Sequence, residues 1–131
     1  MLKLHHFSNE ELLGVTHVAP GVECTTETVQ SFYSPRLLLM LDSMRHRAGL
    51  PIILNSGYRC KEYNQKIGAS DTSSHTKGLA FDIACSDPEH RYLYLRAALA
   101  VGFTRIGIGH NFIHLDIDDD KTLNCIWHYK R

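Results

Sequence analysis

Two short segments of the chain carry histidines and aspartates at spacings that suit metal binding. In the first, His75 precedes Asp82 by seven residues. In the second, Phe112-Ile-His-Leu-Asp-Ile-Asp118, the two-residue period of a strand puts His114 and Asp116 on one face and the apolar residues on the other. Two imidazoles and one carboxylate with an open fourth position are typical of a catalytic zinc site. The spacing therefore predicts that His75, Asp82 and His114 can converge on one ion.

The strand expected around Asp82 leaves space for such an ion. Gly78, Ala80 and Ala84 share the face of Asp82, because alternate residues of a strand point to the same side of a sheet. Their small side chains predict a hollow in front of the sheet, where an ion and a substrate backbone can approach. A solvated polar face explains the alternation around His114 equally well when that segment is considered alone.

Capping signals and hydrophobic periodicity predict the elements that must position these residues. Ser8-Asn-Glu-Glu11 is a capping box that opens a short helix. Ser34-Pro35 and Asp87-Pro88 each open a long helix, and Gly49 and Gly102 end the two. A further short helix is expected at residues 63–67, and strands are expected at 51–55, 78–84, 105–108, 112–118 and 124–129. The predicted fold is α+β, with a small and mostly antiparallel sheet packed by two main helices.

Composition narrows the class of protein further. The 131 residues suit one domain, expected to span 1–131, and a hydrophobic content of 44% suffices for a core. Because 14 basic and 14 acidic residues balance, a general nucleic-acid binder is disfavoured. The sequence has no apolar stretch near the ~20 residues of a membrane span and no apolar run typical of a signal peptide. We expect a monomer made in the cytosol, with no nucleic-acid partner and no membrane insertion.

The cysteines give no sign of a metal knuckle or a redox motif. The chain has four, Cys24, Cys60, Cys85 and Cys125, and no two of them have C-x-x-C spacing. Free cysteines are among the most commonly buried residues. We therefore expect four free thiols in a reducing compartment, with two disulfides as the alternative.

Three blocks of sequence, taken together, resemble one family. Ser73-x-His-x-x-Gly-x-Ala-x-Asp82 resembles the S-x-H-x-x-G-x-A-x-D motif of the zinc D-alanyl-D-alanine carboxypeptidases, which share their fold with the amino-terminal domain of hedgehog proteins. Pro51-Ile-Ile-Leu-Asn-Ser-Gly-Tyr-Arg59 with Glu62-Tyr-Asn64 is similar to a second block of that family. Gly102-Phe-Thr-Arg-Ile-Gly-Ile-Gly109 with Phe112-Ile-His-Leu-Asp116 is similar to its final block. The likeness covers roughly residues 7 to 128 and keeps the blocks in order.

The resemblance implies that His75, Asp82 and His114 bind Zn²⁺. Larger relatives carry a catalytic Glu or Asp three residues before the last ligand, where this chain has Asn111, which cannot act as a base. Smaller relatives carry His-x-Asp instead, and Asp116 matches that aspartate. We therefore predict that Asp116 is the general base, which takes a proton from the attacking water and passes it to the leaving amine. The alternative is that Asp116 orients His114.

Other residues receive substrate roles from the same resemblance. Arg59 matches the arginine that binds a carboxylate of the substrate peptide, and its paired donors suit that group; the alternative is a surface salt bridge. Ser73 either bonds substrate or shapes its loop. His110 either stabilises the oxyanion or is only a solvent-exposed side chain. Trp127 is expected to pack in the fold and to wall the cleft.

The function expected from this resemblance is zinc-dependent hydrolysis of an amide bond in peptidoglycan stem or cross-link peptides. A phage endolysin or virion protein acting on the cell wall is the expected setting, and a bacterial wall-remodelling enzyme is the alternative. A non-catalytic, zinc-stabilised binding module is the other class that the fold allows. A complete set of ligands, candidate base and substrate arginine favours the enzyme.

Overall fold

Capping residues define the ends of the two amino-terminal helices. In the computed structural model, which describes residues 1–130, α1 spans Asn9–Leu13 and α2 spans Pro35–Ala48. The Ser8 hydroxyl accepts a hydrogen bond from the Glu11 amide at 3.1 Å, and the Glu11 carboxylate accepts one from the Ser8 amide at 3.2 Å. Gly49 ends α2 in the left-handed conformation. Both predicted helices are confirmed.

The next two helices follow the same rules, but the first of them is shifted at both ends from the predicted residues 63–67. α3 spans Lys61–Lys66 and begins two residues before the predicted start, because the Cys60 sulfur caps it by accepting from the Tyr63 amide at 3.3 Å. α4 spans Pro88–Val101, between the predicted cap at Asp87 and Gly102. Two 3₁₀ helices, Val29–Phe32 and Ser74–Lys77, complete the helical elements of the described residues.

Five strands form one sheet in the order β1-β2-β4-β3-β5. They are β1 Leu54–Ser56, β2 Ala80–Ala84, β3 Arg105–Ile108, β4 Phe112–Asp116 and β5 Cys125–His128. All neighbours are antiparallel except β3 and β5, which are parallel. The α+β fold with a mostly antiparallel sheet is therefore confirmed.

The first strand is shorter than predicted. Residues 51–53 precede β1 and are not part of it, although the carbonyl of Ile53 accepts a hydrogen bond from the Ala84 amide at 2.9 Å. Pro51 has no amide hydrogen to give to a neighbouring strand, and its carbonyl instead accepts from the Tyr94 hydroxyl at 2.6 Å. The first residue in register with β2 is Leu54.

The two faces of the sheet have opposite character. One face is apolar and belongs to the same buried core as α2 and α4; its residues are Phe81, Ile83, Ile106, Ile113 and Leu115. The two-residue period of β2 and β4 puts Asp82 and His114 on the other face. The helices thus support the sheet from behind and leave its polar face open for a site.

Two further sequence expectations concern thiols and membranes. All four cysteines are free thiols, and Cys60 and Cys85 are buried. Across residues 1–130, no helix combines the length and the apolar character needed to cross a membrane.

Candidate metal centre

Cross-strand pairing brings two of the predicted ligands side by side. Asp82 on β2 pairs with His114 on β4, and His114 pairs in turn with Gly107 on β3. His75 approaches from the 3₁₀ helix that precedes β2. The ligand atoms of His75, Asp82 and His114 all lie within 4.8 Å of one another. The fold thus unites three residues that span forty positions of sequence.

The segment that carries His75 is shaped by the small polar residues of its motif. The Ser73 hydroxyl caps it by accepting from the His75 amide at 3.3 Å. Gly78 ends it with a φ of 69°, and a Cβ at this position would lie only 2.2 Å from the Phe32 carbonyl oxygen. Only glycine combines this conformation with so close an approach of backbone. The serine and the glycine of the motif therefore determine where the His75 ring is held.

The hydrogen bonds of His75 determine which of its nitrogens faces the cluster. Nδ1 donates to the Gly57 carbonyl oxygen at 2.8 Å, since a carbonyl can only accept. Nε2 lies 3.3 Å from Oδ1 of Asp82, and the side chain is 4% exposed. The Nε2 lone pair is therefore directed at the cluster, as a metal ligand requires.

His114 is held in the complementary orientation. Its Nε2 lies 2.6 Å from Oδ2 of Asp116, and its Nδ1 lies 2.9 Å from Oδ1 of Asp82. Burial opposes protonation of this ring, but the hydrogen bonds to Asp116 and Asp82 outweigh burial and raise the pKa of His114. Because the Nε2 hydrogen is donated to Asp116, Nδ1 is the nitrogen that can lose its proton and bind a metal through its lone pair.

The carboxylate of Asp82 stays ionised despite its surroundings. Burial favours the neutral acid, but the neighbouring imidazoles of His114 and His75 outweigh that effect and hold the pKa of Asp82 well below its ordinary value. The second oxygen of Asp82 lies 3.5 Å from a terminal nitrogen of Arg59. A permanent negative charge therefore lies at the centre of the cluster.

This donor set fits zinc. Two imidazole nitrogens and one carboxylate oxygen match the usual ligands of a catalytic zinc site, which keeps a fourth position open. The nitrogens lie 2.9 and 3.3 Å from Oδ1 of Asp82. Two ligands of a tetrahedral zinc ion are about 3.3 Å apart when each is bound at ~2.0–2.1 Å. His75, Asp82 and His114 could therefore hold the ion.

Asp116 lies behind His114 as seen from Asp82. Its two oxygens contact Nε2 of His114 at 2.6 Å, Nε of Arg105 at 2.9 Å and the amide of Asp118 at 3.0 Å. The carboxylate is 1% exposed, and the imidazole ring separates it from the metal cluster. These contacts match the alternative in which Asp116 orients His114. Its role as general base stays a prediction without structural support.

Arg59 lies in the wall of the site. Its Nε donates to the Ser56 hydroxyl at 3.2 Å and one terminal nitrogen donates to the side-chain oxygen of Asn64 at 3.4 Å. The other terminal nitrogen is the one that lies near Asp82, and 12% of the side chain is exposed. Arg59 is therefore no loose surface residue, and its guanidinium is pre-positioned beside the cluster.

The cluster forms part of a cleft of about 380 Å³. The cleft is also lined by residues to which the sequence assigned no role, Phe112, Lys121, Arg105 and Tyr129, together with the predicted Ser73 and Trp127. Gly107 makes room for the aromatic part, because a Cβ there would lie 2.6 Å from the Tyr129 ring and 2.7 Å from the Trp127 ring. The alternation of Arg105 and Gly107 with two isoleucines was the available signal for this face of β3.

The two remaining candidate residues, His110 and Ser73, lie in different environments. His110 is exposed on the turn between β3 and β4. The Ser73 hydroxyl, by contrast, lines the cleft while capping the His75 segment. The loop-shaping role of Ser73 is thus observed, and its contact with substrate stays a prediction.

Comparison with known families agrees with this geometry. Residues 5–116 match the family described as peptidase M15, which consists of zinc enzymes. Because the match covers most of the sequence, the chain belongs to the peptidase M15 family. It is therefore a peptidase of the metallopeptidase class, and its substrates are peptides. A search of curated proteins gives no match to this sequence.

Proposed function

We propose that this chain is a zinc peptidase that hydrolyses an amide bond in the stem or cross-link peptides of peptidoglycan. The observation that carries the proposal is the convergence of His75, Asp82 and His114 within 4.8 Å beside Arg59 in one cleft. A metal bound at this site would activate water for hydrolysis, and the adjacent arginine can bind an anionic group of a peptide. The cleft therefore has both parts that a peptidase for carboxylate-bearing peptides needs.

The metal would supply the hydrolytic chemistry, and the protein orients its ligands. When bound, zinc polarises the scissile carbonyl and lowers the pKa of an attacking water towards about 7. The protein orients two of the three ligands through hydrogen bonds to residues outside the ligand set, from His75 to the Gly57 carbonyl and from His114 to Asp116. Such outer partners fix the orientation of a ligand and raise its basicity.

Arg59 would place the substrate. Its guanidinium is held by Ser56 and Asn64, so a bound carboxylate would meet donors that have already lost their freedom. A carboxylate paired with Arg59 would lie next to Asp82, and the neighbouring peptide carbonyl would face the metal. Arg105 and Lys121 also line the cleft, which favours anionic over cationic peptides.

The proton transfer has two candidate descriptions. If Asp116 is the base, the carboxylate must leave its contacts with His114 and Arg105 during turnover. If Asp116 orients His114, the proton must be accepted elsewhere in the cleft. The contacts favour the second description, because both oxygens of Asp116 are already engaged.

One observation favours a second candidate function, a zinc-stabilised module that binds wall peptides without cutting them. Among residues 1–130, the carboxylates that line the cleft are Asp82 and Asp116, and both have partners in the structure. A module that only binds needs the metal and Arg59 but no base. The two candidates therefore agree on the ligand and differ on turnover.

Incubation of the zinc-loaded protein with defined muropeptides, read by mass spectrometry, separates the candidates. Loss of a terminal D-alanine would identify a carboxypeptidase, and conversion of cross-linked dimers to monomers would identify an endopeptidase. The matched control is His114→Ala, which should cut nothing. Saturable binding of the same peptides with no product would support the module, and neither binding nor cleavage would contradict both.

The setting of this activity follows from the same proposal. A peptidase of peptidoglycan acts on the cell wall, and a phage lysis or virion protein is the setting that we propose, with zinc as cofactor and a single monomeric domain. Lysis of bacterial cells by the protein added from outside, compared with His114→Ala, tests whether the wall is accessible to it.

A further inference from the structure

Arg105 lies on β3, a strand that carries none of the metal ligands, and it contacts the residues behind them. Residue 105 on β3 lies directly opposite Asp116 on β4 in the antiparallel register. Nε of Arg105 lies 2.9 Å from Oδ1 of Asp116, and the two side chains are 12% and 1% exposed. A surface ion pair contributes little, but a buried one fixes both partners, because either charge left alone would be costly.

The Arg105 side chain is held on two further sides. A terminal nitrogen donates to the carbonyl oxygen of Thr122, in the loop that leads to β5. The guanidinium carbon lies 4.8 Å from the ring of Trp127, and that ring lies 5.7 Å from the His114 ring between centroids. Stacking on an indole suits a planar guanidinium better than an ammonium group. Arg105 is therefore immobilised.

A series of side-chain contacts links Arg105 on β3 to the metal ligands. Arg105 contacts Asp116, Asp116 accepts from Nε2 of His114, and Nδ1 of His114 faces Asp82. If the Asp116 carboxylate rotated, the His114 ring would lose the bond that fixes its orientation. The rotation of Asp116 is in turn limited by Arg105 and by the amide of Asp118.

We propose that Arg105 is a positioning residue of the metal centre, which holds Asp116 so that His114 presents Nδ1 to the metal. The inference rests on the metal site of the proposed function and extends it to a residue outside the ligand set. Trp127 stacks on the guanidinium and helps to hold it in place. If Arg105 has this role, its substitution should weaken metal binding only when Asp116 is present.

A double-mutant cycle on zinc affinity tests this role. The variants are Arg105→Met, Asp116→Asn and the two combined, titrated as metal-free proteins in competition with a chelator of known affinity. Trp127 is the sole tryptophan of the chain, so its fluorescence reports binding beside His114 without any assay of activity. We expect Arg105→Met to weaken zinc binding roughly 10- to 100-fold, as the loss of an outer partner commonly does. The double variant should bind no more weakly than Asp116→Asn alone.

The control is Arg96→Met, which removes an exposed arginine that also lies over an aromatic ring, that of Tyr92, but on α4. It should bind zinc as the wild type does. If Arg105→Met does not fold, Arg105→Lys keeps the charge and should show a smaller loss of affinity. Wild-type affinity in a folded Arg105 variant, or losses that multiply in the double variant, would overturn the role. Failure of the wild type to bind zinc would overturn the metal site itself.

Discussion

Asp118, which is fully buried, and Asp82, which is partly buried, both contact residues of the 3₁₀ helix Ser74–Lys77, and they differ in the group that neutralises their charge. Asp118 is fully buried, and the Lys77 ammonium lies 3.1 and 3.0 Å from its two oxygens. The Ser74 hydroxyl donates to it at 2.7 Å. The charge of the Asp118 carboxylate is thus neutralised by the ammonium group of Lys77.

Asp82 is served by a different kind of partner. Its nearest cation is Arg59, at 3.5 Å from one oxygen, and its closer neighbours are the imidazoles of His75 and His114. An ammonium group has donors but no lone pair, whereas a neutral imidazole has one free nitrogen. The cluster at Asp118 is therefore closed to metal, while the cluster at Asp82 can exchange protons for an ion.

The comparison shows which partners allow a carboxylate of this fold to take part in metal binding. Both aspartates tie the Ser74–Lys77 segment to the sheet, and both are ionised. Only Asp82 has partners that can become ligands themselves. Removing a partner should therefore cost zinc and activity at one cluster, and stability alone at the other.

The largest effect is expected from His114→Ala. The wild type should carry about one zinc per chain, since the donor set defines one tetrahedral site, and the variant should lose most of the metal and all cleavage of peptide. Zinc at 100 times its dissociation constant should stabilise the wild type by about 2.7 kcal/mol and leave the variant unchanged. Elemental analysis and thermal unfolding with and without zinc measure both. Full retention of zinc by the variant would contradict the ligand assignment, and His90→Ala on α4 is the control.

Asp116→Asn separates the two roles of that carboxylate. A general base would cost turnover on the order of 10²–10⁴-fold with zinc retained. A positioning residue would instead weaken zinc binding roughly 10- to 100-fold, because the bond to His114 is impaired. We expect the second result from the observed contacts. The zinc dissociation constant, together with kcat at saturating zinc, distinguishes the two, and normal values of both would contradict either role.

Arg59→Ala should weaken the use of substrate by roughly ten- to a hundred-fold, since a hydrogen bond to a charged group contributes about 1.5–3 kcal/mol. Arg59→Lys should not restore it, because an ammonium lacks the paired donors. The measurement is kcat/KM for a muropeptide and for its amidated form. Amidation of the substrate should lower kcat/KM of the wild type much more than it lowers kcat/KM of Arg59→Ala. Equal losses in the two proteins would show that Arg59 does not bind that carboxylate.

The smallest effect on the site is expected from Asp118→Asn. Burial opposes ionisation of Asp118, but bonds from Ser74 and Lys77 outweigh it and lower its pKa below the ordinary 3.8. A lowered pKa stabilises the fold above the ordinary value, and this contribution disappears as the pH falls through the lowered pKa. The variant should lose about 1–3 kcal/mol of unfolding free energy at pH 7.

Urea unfolding at several pH values tests this expectation. The difference between wild type and Asp118→Asn should shrink as the pH is lowered below 3.8, where the wild-type carboxylate also becomes protonated. Zinc affinity should stay within a few-fold of the wild type. Asp119→Asn, an exposed neighbour, is the control and should change neither quantity. A large loss of zinc by Asp118→Asn would show that the two clusters are not independent.

The local signals in the sequence predicted the elements well because they depend on neighbouring residues. The Ser8 capping box, the proline at each long helix start and the glycines that end them act over one turn of chain. The predicted start of β1 was wrong by three residues. The apolar residues after Pro51 do not indicate which of them pair with a neighbouring strand. Register with β2, a tertiary property, determines that boundary.

The ligand set was predictable because each ligand lies on a segment whose period or motif marks it. His75 and Asp82 lie in a motif with the glycine that its turn requires, and His114 alternates with buried apolar residues. What the sequence alone determined about this protein is thus the fold class, the family resemblance and the three residues that can hold a metal.

Only the tertiary structure decided how those residues are held and what surrounds them. The orientation of His114 depends on Asp116, whose own orientation depends on Arg105, which is paired with it through register and not through sequence spacing. The contact of Trp127 with the site depends on the register of β5 with β3, which places Trp127 beside Gly107. The physical reason is that hydrogen-bond direction is set by positions in space, and strands distant in the chain determine those positions.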